Sequence, residues 1–215
     1  MTGHAPGGPA SIALAVRGDG RAAAALGALA LSGDLRNAPM PLPLAAAIDE
    51  HGGRVPLPYG QGQCRIARTG ETITGMLYAT PPIRWLQEHP PTQRKSLVHA
   101  LVEIELLAVA EPYRRHGIGT ALLEKTEHAA RAEGTRLALA KVRIGAFPVM
   151  RWYRGRGYTV AGQGEPVVIR TRRDGFTSCD DGSNGYQLAV EALQSRESVR
   201  RHARGTDTML IVEHA

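Results

Sequence analysis

The sequence is poor in cysteine, lysine and aromatic residues, and it has no long hydrophobic run. Its two cysteines, Cys64 and Cys179, stand far apart without a CxxC pattern or His-rich neighbours. That excludes a disulfide framework and a structural zinc site read from spacing, and two free thiols suit a reducing cytoplasm. No apolar stretch approaches the roughly 20 residues a membrane-spanning helix needs. The nearest, residues 22–31, is broken by Gly27 and preceded by Arg17, Asp19 and Arg21. An acid within the basic flank, and no small-residue cleavage pattern before Asp34, argue against a secretion signal, so the stretch reads as an Ala-rich first helix. The eight histidines show no HxxxH or HExxH spacing, and no metal centre is read from them. No internal repeat is present.

What is there suits a folded protein. The 215 residues are 43% hydrophobic with a net charge of +6, enough apolar content to bury a core and too little charge excess for a disordered chain. The charge is uneven. Residues 114–173 hold eleven Arg and two Lys against four Glu, a net +9, which leaves the remainder at −3. A basic segment within a mildly acidic chain points to an anionic ligand or partner, although 23 Arg against three Lys also fits a compositional bias.

Residues 1–10, rich in Gly and Pro, read as a disordered lead-in, and 11–215 as a single domain. Residues 11–17 suit a first strand, followed by the Ala-rich helix. The Pro-rich stretch 36–62 leaves room only for short helical pieces such as 44–50. Residues 64–69 and 72–80, around Gly70-Glu71, read as an antiparallel hairpin. After a loop over 81–100 comes the strongest strand, 101–110. A helix over 120–133, closed by Gly134, leads to a strand over 136–143, and a short helix over 148–154 is stopped by Gly155 and Gly157. Residues 158–160 and 167–170 resemble the arms of a further turn. A loop over 171–185, a helix over 186–201 and a final strand over 208–213 complete the chain, so an inserted loop and helix occupy about 171–205. The order indicates an α/β fold with a mixed, mostly antiparallel central sheet, flanking helices and one parallel crossover within 101–143.

The informative segment places Arg114, Arg115 and His116 directly before a helix opened by Gly117, Ile118, Gly119 and Thr120. A helix N-terminus already carries partial positive charge and unpaired N–H groups, so three cationic or ionisable residues there are unfavourable without an anion. Glycines at 117 and 119 allow the backbone to approach that anion, with the amides of residues 115–120 as donors. A dinucleotide-binding fingerprint fails, because seven residues separate Val109 from Gly117 and Leu122 holds the third-glycine position. A P-loop fails because Thr120-Ala121 follows Gly119.

Arg114-Arg-His-Gly117-Ile-Gly119 matches in full the Gln/Arg-x-x-Gly-x-Gly/Ala signature, and with Leu107-Ala-Val109 before it the segment resembles the GCN5-related N-acetyltransferases (GNAT). Val142-Arg143, Tyr153 and Gly157-Tyr158 resemble the second cofactor segment of that family, although Ala146 stands where many members carry Asn. The resemblance covers 101–158, and 64–80 loosely. It implies an acetyltransferase fold with a V-shaped split between the strands beginning near Leu101 and Arg136, in which acetyl-CoA lies as co-substrate. The pyrophosphate would rest on the amides of Arg115, His116, Gly117, Ile118, Gly119 and Thr120, beside Arg114. The pantetheine arm would bond to the main chain of Leu107 and Val109.

The resemblance also implies roles in direct attack within a ternary complex. Tyr153 takes the place of the proton donor to the departing thiolate; a phenol remains protonated at neutral pH, and packing against Trp152 is its other reading. Val109 N–H is the implied oxyanion donor. For the base, Glu103 and Glu105 lie two apart on one strand, facing the same way as Leu107 and Val109 unless a bulge intervenes. Glu103 stands six residues before Val109, where histone-type members carry their base. Two neighbouring carboxylates would raise one another's pKa; the alternative is that either is a solvated residue or holds a cationic substrate.

The expected activity is transfer of an acetyl group to a primary amine of a small molecule or protein. Acetylation of aminoacyl-tRNA, as in toxin-like relatives, and a non-catalytic acyl-CoA-binding regulator are the alternatives. Residues 170–173 offer cations for a 3′-phosphate or a nucleic acid, but few aromatics alternate with the arginines, which counts against single-strand binding. A membrane partner is not expected. The resemblance also allows a homodimer, by strand exchange or pairing through residues 208–213, and the oligomeric state is open.

Overall fold

The computed structural model describes residues 9–32, 42–170, 176–179, 185–205 and 207–214. In chain order the elements are β1 (Ser11–Leu14), α1 (Gly20–Ser32), α2 (Leu42–His51), β2 (Arg54–Leu57), β3 (Gly60–Thr69) and β4 (Thr72–Thr80). Next come α3 (Ile83–Gln87), α4 (Pro91–Leu97), β5 (Leu101–Val109), a 3-10 turn (Glu111–Tyr113), α5 (Ile118–Ala132), β6 (Leu137–Arg143) and α6 (Phe147–Arg154). The strands β7 (Thr159–Val160), β8 (Val167–Arg170), β9 (Phe176–Cys179), β10 (Tyr186–Ala192), β11 (Glu197–Arg204) and β12 (Asp207–His214) complete the chain. Residues 1–8, on which most of the expected lead-in falls, lie outside the described residues, as do 33–41, 171–175 and 180–184.

The chain forms two compact units, the first comprising residues 1–81 and 104–129. Its strands run β1-β3-β4-β5, with β2 also paired to β3. The β3–β4 hairpin turns at Gly70-Glu71, with Thr69 opposite Thr72 and Gly70 at φ +58°. The positive φ is the requirement that a two-residue hairpin turn sets at this position. Pro56 is tolerated in β2 because that strand lies at the sheet edge. One core cluster joins Ala23 and Leu26 of α1, Ile48 of α2, Cys64 and Ile66 of β3, Met76 of β4, and Leu106 and Ala108 of β5. Close helix approach explains Gly20, where a Cβ would run into the carbonyl of Ala45. The start of α5 packs just as closely on β4. A Cβ on Gly75 would stand 3.0 Å from Ile118 and 3.1 Å from Leu122, so the small residue in the strand sets where the helix begins.

The second unit comprises residues 82–103 and 130–215. Ala100, just before β5, accepts hydrogen bonds from the N–H groups of both Arg136 and Leu137 at the start of β6. β6 pairs antiparallel with β10 along seven positions, and β10 pairs antiparallel with β7. Leu137, Ala138, Leu139 and Ala140 are all buried, the pattern of a strand covered on both faces. A second sheet has the order β11-β12-β8-β9, in which only β12 and β8 run parallel. Its inner face is Val167, Ile169, Leu210 and Val212, each at most 1% exposed.

Several expectations are corrected. The segment expected as a helix over 186–201 holds β10 and the first part of β11 instead. The helix-favouring Ala, Leu and Glu contribute only tenths of a kcal/mol each, and β10 gains strand partners on both sides. The expected loop 81–100 contains α3 and α4; the latter opens on Pro91, whose missing N–H and fixed φ suit a first helical position. β7 and β8 are not arms of one turn, since they belong to different sheets. Apart from these corrections, β12 covers the segment considered for strand exchange or pairing with a second copy, and within the chain it bonds β11 on one side and β8 on the other. Among the described residues no helix is long and apolar enough to cross a membrane.

Candidate active site

In the first unit, β5 ends at Val109 and the 3-10 turn built on Glu111-Pro112 reverses the chain. Arg114 Nε donates 3.0 Å to the carbonyl of Val109, which ties the turn back to the end of the strand. Arg115 then adopts φ +65°, the sole positive φ outside glycine among the described residues, and Gly117 follows at φ +80°. A bulky residue held in the left-handed region costs free energy and points to a functional constraint. The first α5 hydrogen bond runs from Ala121 N–H to Gly117 carbonyl at 2.9 Å. A helix beginning there cannot bond the N–H groups of its opening residues to its own carbonyls, and Ile118 and Gly119 are among those residues. Arg114, Arg115, His116 and Gly117 are exposed, and Ile118 is buried against Gly75. The result is a solvent-facing cradle of backbone donors rimmed by cations, the electrostatic form of an oxyanion or phosphate site. The donor set therefore fits a pyrophosphate.

Glu105 on β5 is exposed, and Thr80 Oγ1 donates to it at 3.5 Å. Nearby Tyr78 is half-buried, its phenol pushed up to about 12 by burial first and then by the charges of Cys64 and Glu105. Tyr78 leans over Gly62, where a Cβ would stand 2.5 Å from the hydroxyl. Cys64 is fully buried, its thiol pushed up to about 12 by burial and by Asp19, which makes it a core residue without nucleophilic character.

Glu103 has different surroundings. It is 5% exposed, and its Oε1 lies 2.9 Å from Lys141 Nζ in the second unit, to which both residues belong. Burial along β5 changes phase between Glu103 and Ile104: Leu101 and Glu103 are buried, then Ile104, Leu106 and Ala108. Glu103 and Glu105 therefore differ in burial, and each has its own partner. Leu107 and Val109 are half-buried.

Tyr153 of α6 is buried in the second unit, edge-on to Tyr158 at 5.0 Å and to Trp152 at 4.9 Å. Arg156 lies 4.6 Å over the Trp152 ring. Both readings of Tyr153 thus stay open to test, since an aromatic cluster can hold a phenol in place for chemistry. Ala146 precedes α6 and supplies no side-chain cap. Three features escaped sequence reasoning: the hook of Arg114 on Val109, the Lys141 partner of Glu103, and the neighbourhood of Thr80, Tyr78 and Glu105. Only Lys141 left a trace, as one of three lysines in the chain and the one inside a strand.

Residues 43–158 match the model of the Acetyltransferase (GNAT) family. No curated protein matches the chain. Among solved structures, an N-acetyltransferase from Staphylococcus aureus Mu50 is 15% identical, with a TM-score of 0.58 over 87% of this chain and 100% of that one. The yncA protein of Salmonella typhimurium, solved with its cofactor acetyl-CoA, is 16% identical, with a TM-score of 0.56 over 92% of this chain and 98% of that one. The ribosomal-protein-S18-alanine N-acetyltransferase of Escherichia coli is 13% identical, with a TM-score of 0.54 over the same shares. At these identities the likeness is one of fold.

Proposed function

The chain belongs to the GNAT acetyltransferase family, and from that premise we propose that it transfers an acetyl group from acetyl-CoA to a primary amine of a small molecule or protein, by direct attack. The observation that carries the reading is the turn over residues 114–120: Arg115 at φ +65° and Gly117 at φ +80° directly before the α5 N-terminus, with exposed cations around it. Such a turn binds a doubly charged pyrophosphate through main-chain donors, and it selects for phosphate rather than for any base or sugar.

When bound, acetyl-CoA supplies a thioester carbonyl activated toward amines and a thiolate leaving group. The chain supplies the rest. Amides of residues 115–120, with Arg114 and Arg115, hold the pyrophosphate; the main chain of Leu107 and Val109 aligns the pantetheine arm; and Val109 N–H stabilises negative charge developing on the carbonyl oxygen. Glu105 is the better candidate base of the two, because it is exposed with a single weak hydroxyl partner, whereas Glu103 is buried against Lys141. Tyr153 donates the proton to the departing sulfur.

The test is a panel of amines incubated with acetyl-CoA and the protein, reading free thiol and the mass of the product. Acetylated amine with stoichiometric thiol release supports the proposal; thiol release without acetylated amine, or no turnover of a protein that still binds acetyl-CoA, overturns it.

A further inference from the structure

The second sheet of the second unit has an outer strand, β11, whose only strand partner among the described residues is β12. An edge of this length presents a row of backbone donors and acceptors, a template for another strand. Two ion pairs hold the edge in place. Glu197, at its start, accepts from Arg136 at 2.6 and 2.9 Å, and both side chains are buried. Arg201, near its middle, donates to Glu165 at 2.7 and 2.9 Å and to the Val160 carbonyl at 2.9 Å. Those contacts fix the backbone of β11 and absorb the charges of Glu197 and Arg201.

Basic side chains remain outward. Arg200 and His202 are exposed, share one face, and stand opposite Ile211 and Met209 of β12; Arg196 is exposed just before the strand. Two acids share that face at its two ends, Glu213 opposite Ser198 and Asp207 opposite Arg204. A second copy of this chain is a poor match for the edge. Antiparallel pairing of two β11 strands in the register that centres on Arg200 sets that exposed arginine against itself, and like charges directly opposite are destabilising. A nucleic acid would find charge here, but β11 has no Phe, Tyr or Trp for base stacking, and nucleic acid would leave the row of backbone groups unmatched. An extended peptide with acidic side chains meets both features, by strand addition and by charge.

We propose that β11 is a docking edge for an extended acidic peptide, added to the sheet as a further strand with its carboxylates on Arg200 and His202. The inference stands independently of acetyl transfer. It is tested on the full chain by fluorescence anisotropy with a labelled peptide of alternating Glu and Val. Binding is expected, with about a tenfold loss when Lys replaces Glu or when the peptide backbone is N-methylated. The Arg200→Glu/His202→Glu double variant, with its circular dichroism unchanged, is expected to prefer the Lys peptide.

Several results would overturn the proposal: no binding, equal affinity for the Glu and Lys peptides, indifference to N-methylation, or displacement of the peptide by a single-stranded RNA at lower concentration. Dimerisation of the protein that the double variant abolishes would replace it with self-association.

Discussion

Replacing Gly117 by alanine separates the conformation of the phosphate turn from its packing. A Cβ at this position meets nothing within 4 Å, so the substitution adds no clash, and its whole effect comes from φ +80°. Holding a non-glycine residue there costs about 1–2 kcal/mol, offset by up to about 1 kcal/mol from a less flexible unfolded chain. The net destabilisation should be about 1 kcal/mol, or roughly 2–4 °C in Tm for a chain of this size. The alternative open to the variant is to relax φ, which turns the following amides away from their target. Losing one hydrogen bond to a charged phosphate costs about 2 kcal/mol, roughly a 30-fold rise in Kd. Gly70→Ala is the matched control: it too has positive φ, +58°, and no neighbour within 4 Å, but it sits in the β3–β4 hairpin. Thermal melts and calorimetric titration of acetyl-CoA on both variants give the comparison. Similar losses of Tm with weakened binding only in Gly117→Ala are expected; wild-type affinity in Gly117→Ala would refute the role of the turn.

Three further outcomes follow from the geometry. Tyr153→Phe keeps the edge-on ring contacts with Tyr158 and Trp152 and should lower kcat by about 100-fold or more with acetyl-CoA affinity retained; unchanged turnover would leave Tyr153 a packing residue. Glu105→Gln should remove the acidic limb of kcat/KM against pH, whereas Glu103→Gln should keep that limb and lower Tm through loss of its Lys141 partner; the reverse pattern would exchange their roles. Burial pushes the Glu165 carboxyl up, but Arg201, the Gly162 N–H and the Thr208 hydroxyl outweigh burial and hold it below its ordinary 4.5. A lowered carboxylate contributes stability above its unfolded value and loses it as pH falls through the folded one. Thermal melts below pH 4.5 should therefore fall less steeply for Arg201→Gln than for the wild type; parallel curves would contradict this linkage.

Local signals were legible wherever chemistry and backbone geometry coincide. Gly70-Glu71 specified its hairpin because a two-residue turn needs positive φ at its first position, and the run of cations before Gly117 conflicted with a helix dipole unless an anion is near. Pairing decided by distant partners was less legible. The composition of residues 186–192 favours a helix, and only the buried face of β6, far away in sequence, makes it a strand. The two glutamates of β5 illustrate the same limit. Period-two reasoning treated them as a pair, whereas Glu103 is buried against Lys141 and Glu105 is exposed beside Thr80, a difference in surroundings set by partners distant in sequence. Arg115, whose positive φ marks the turn, could not be told from its neighbours by residue type, because nothing in an arginine announces a left-handed conformation.

The central claim is that the turn over residues 114–120 is a pyrophosphate site, and calorimetric titration of three related ligands tests it most directly. Acetyl-CoA and its 3′-dephospho form both carry the pyrophosphate, and acetylpantetheine does not. The first two should bind with Kd values within about tenfold of each other while acetylpantetheine is weaker by about 1,000-fold, two charge-assisted hydrogen bonds' worth at about 2 kcal/mol each. Acetylpantetheine binding as tightly as acetyl-CoA would contradict it.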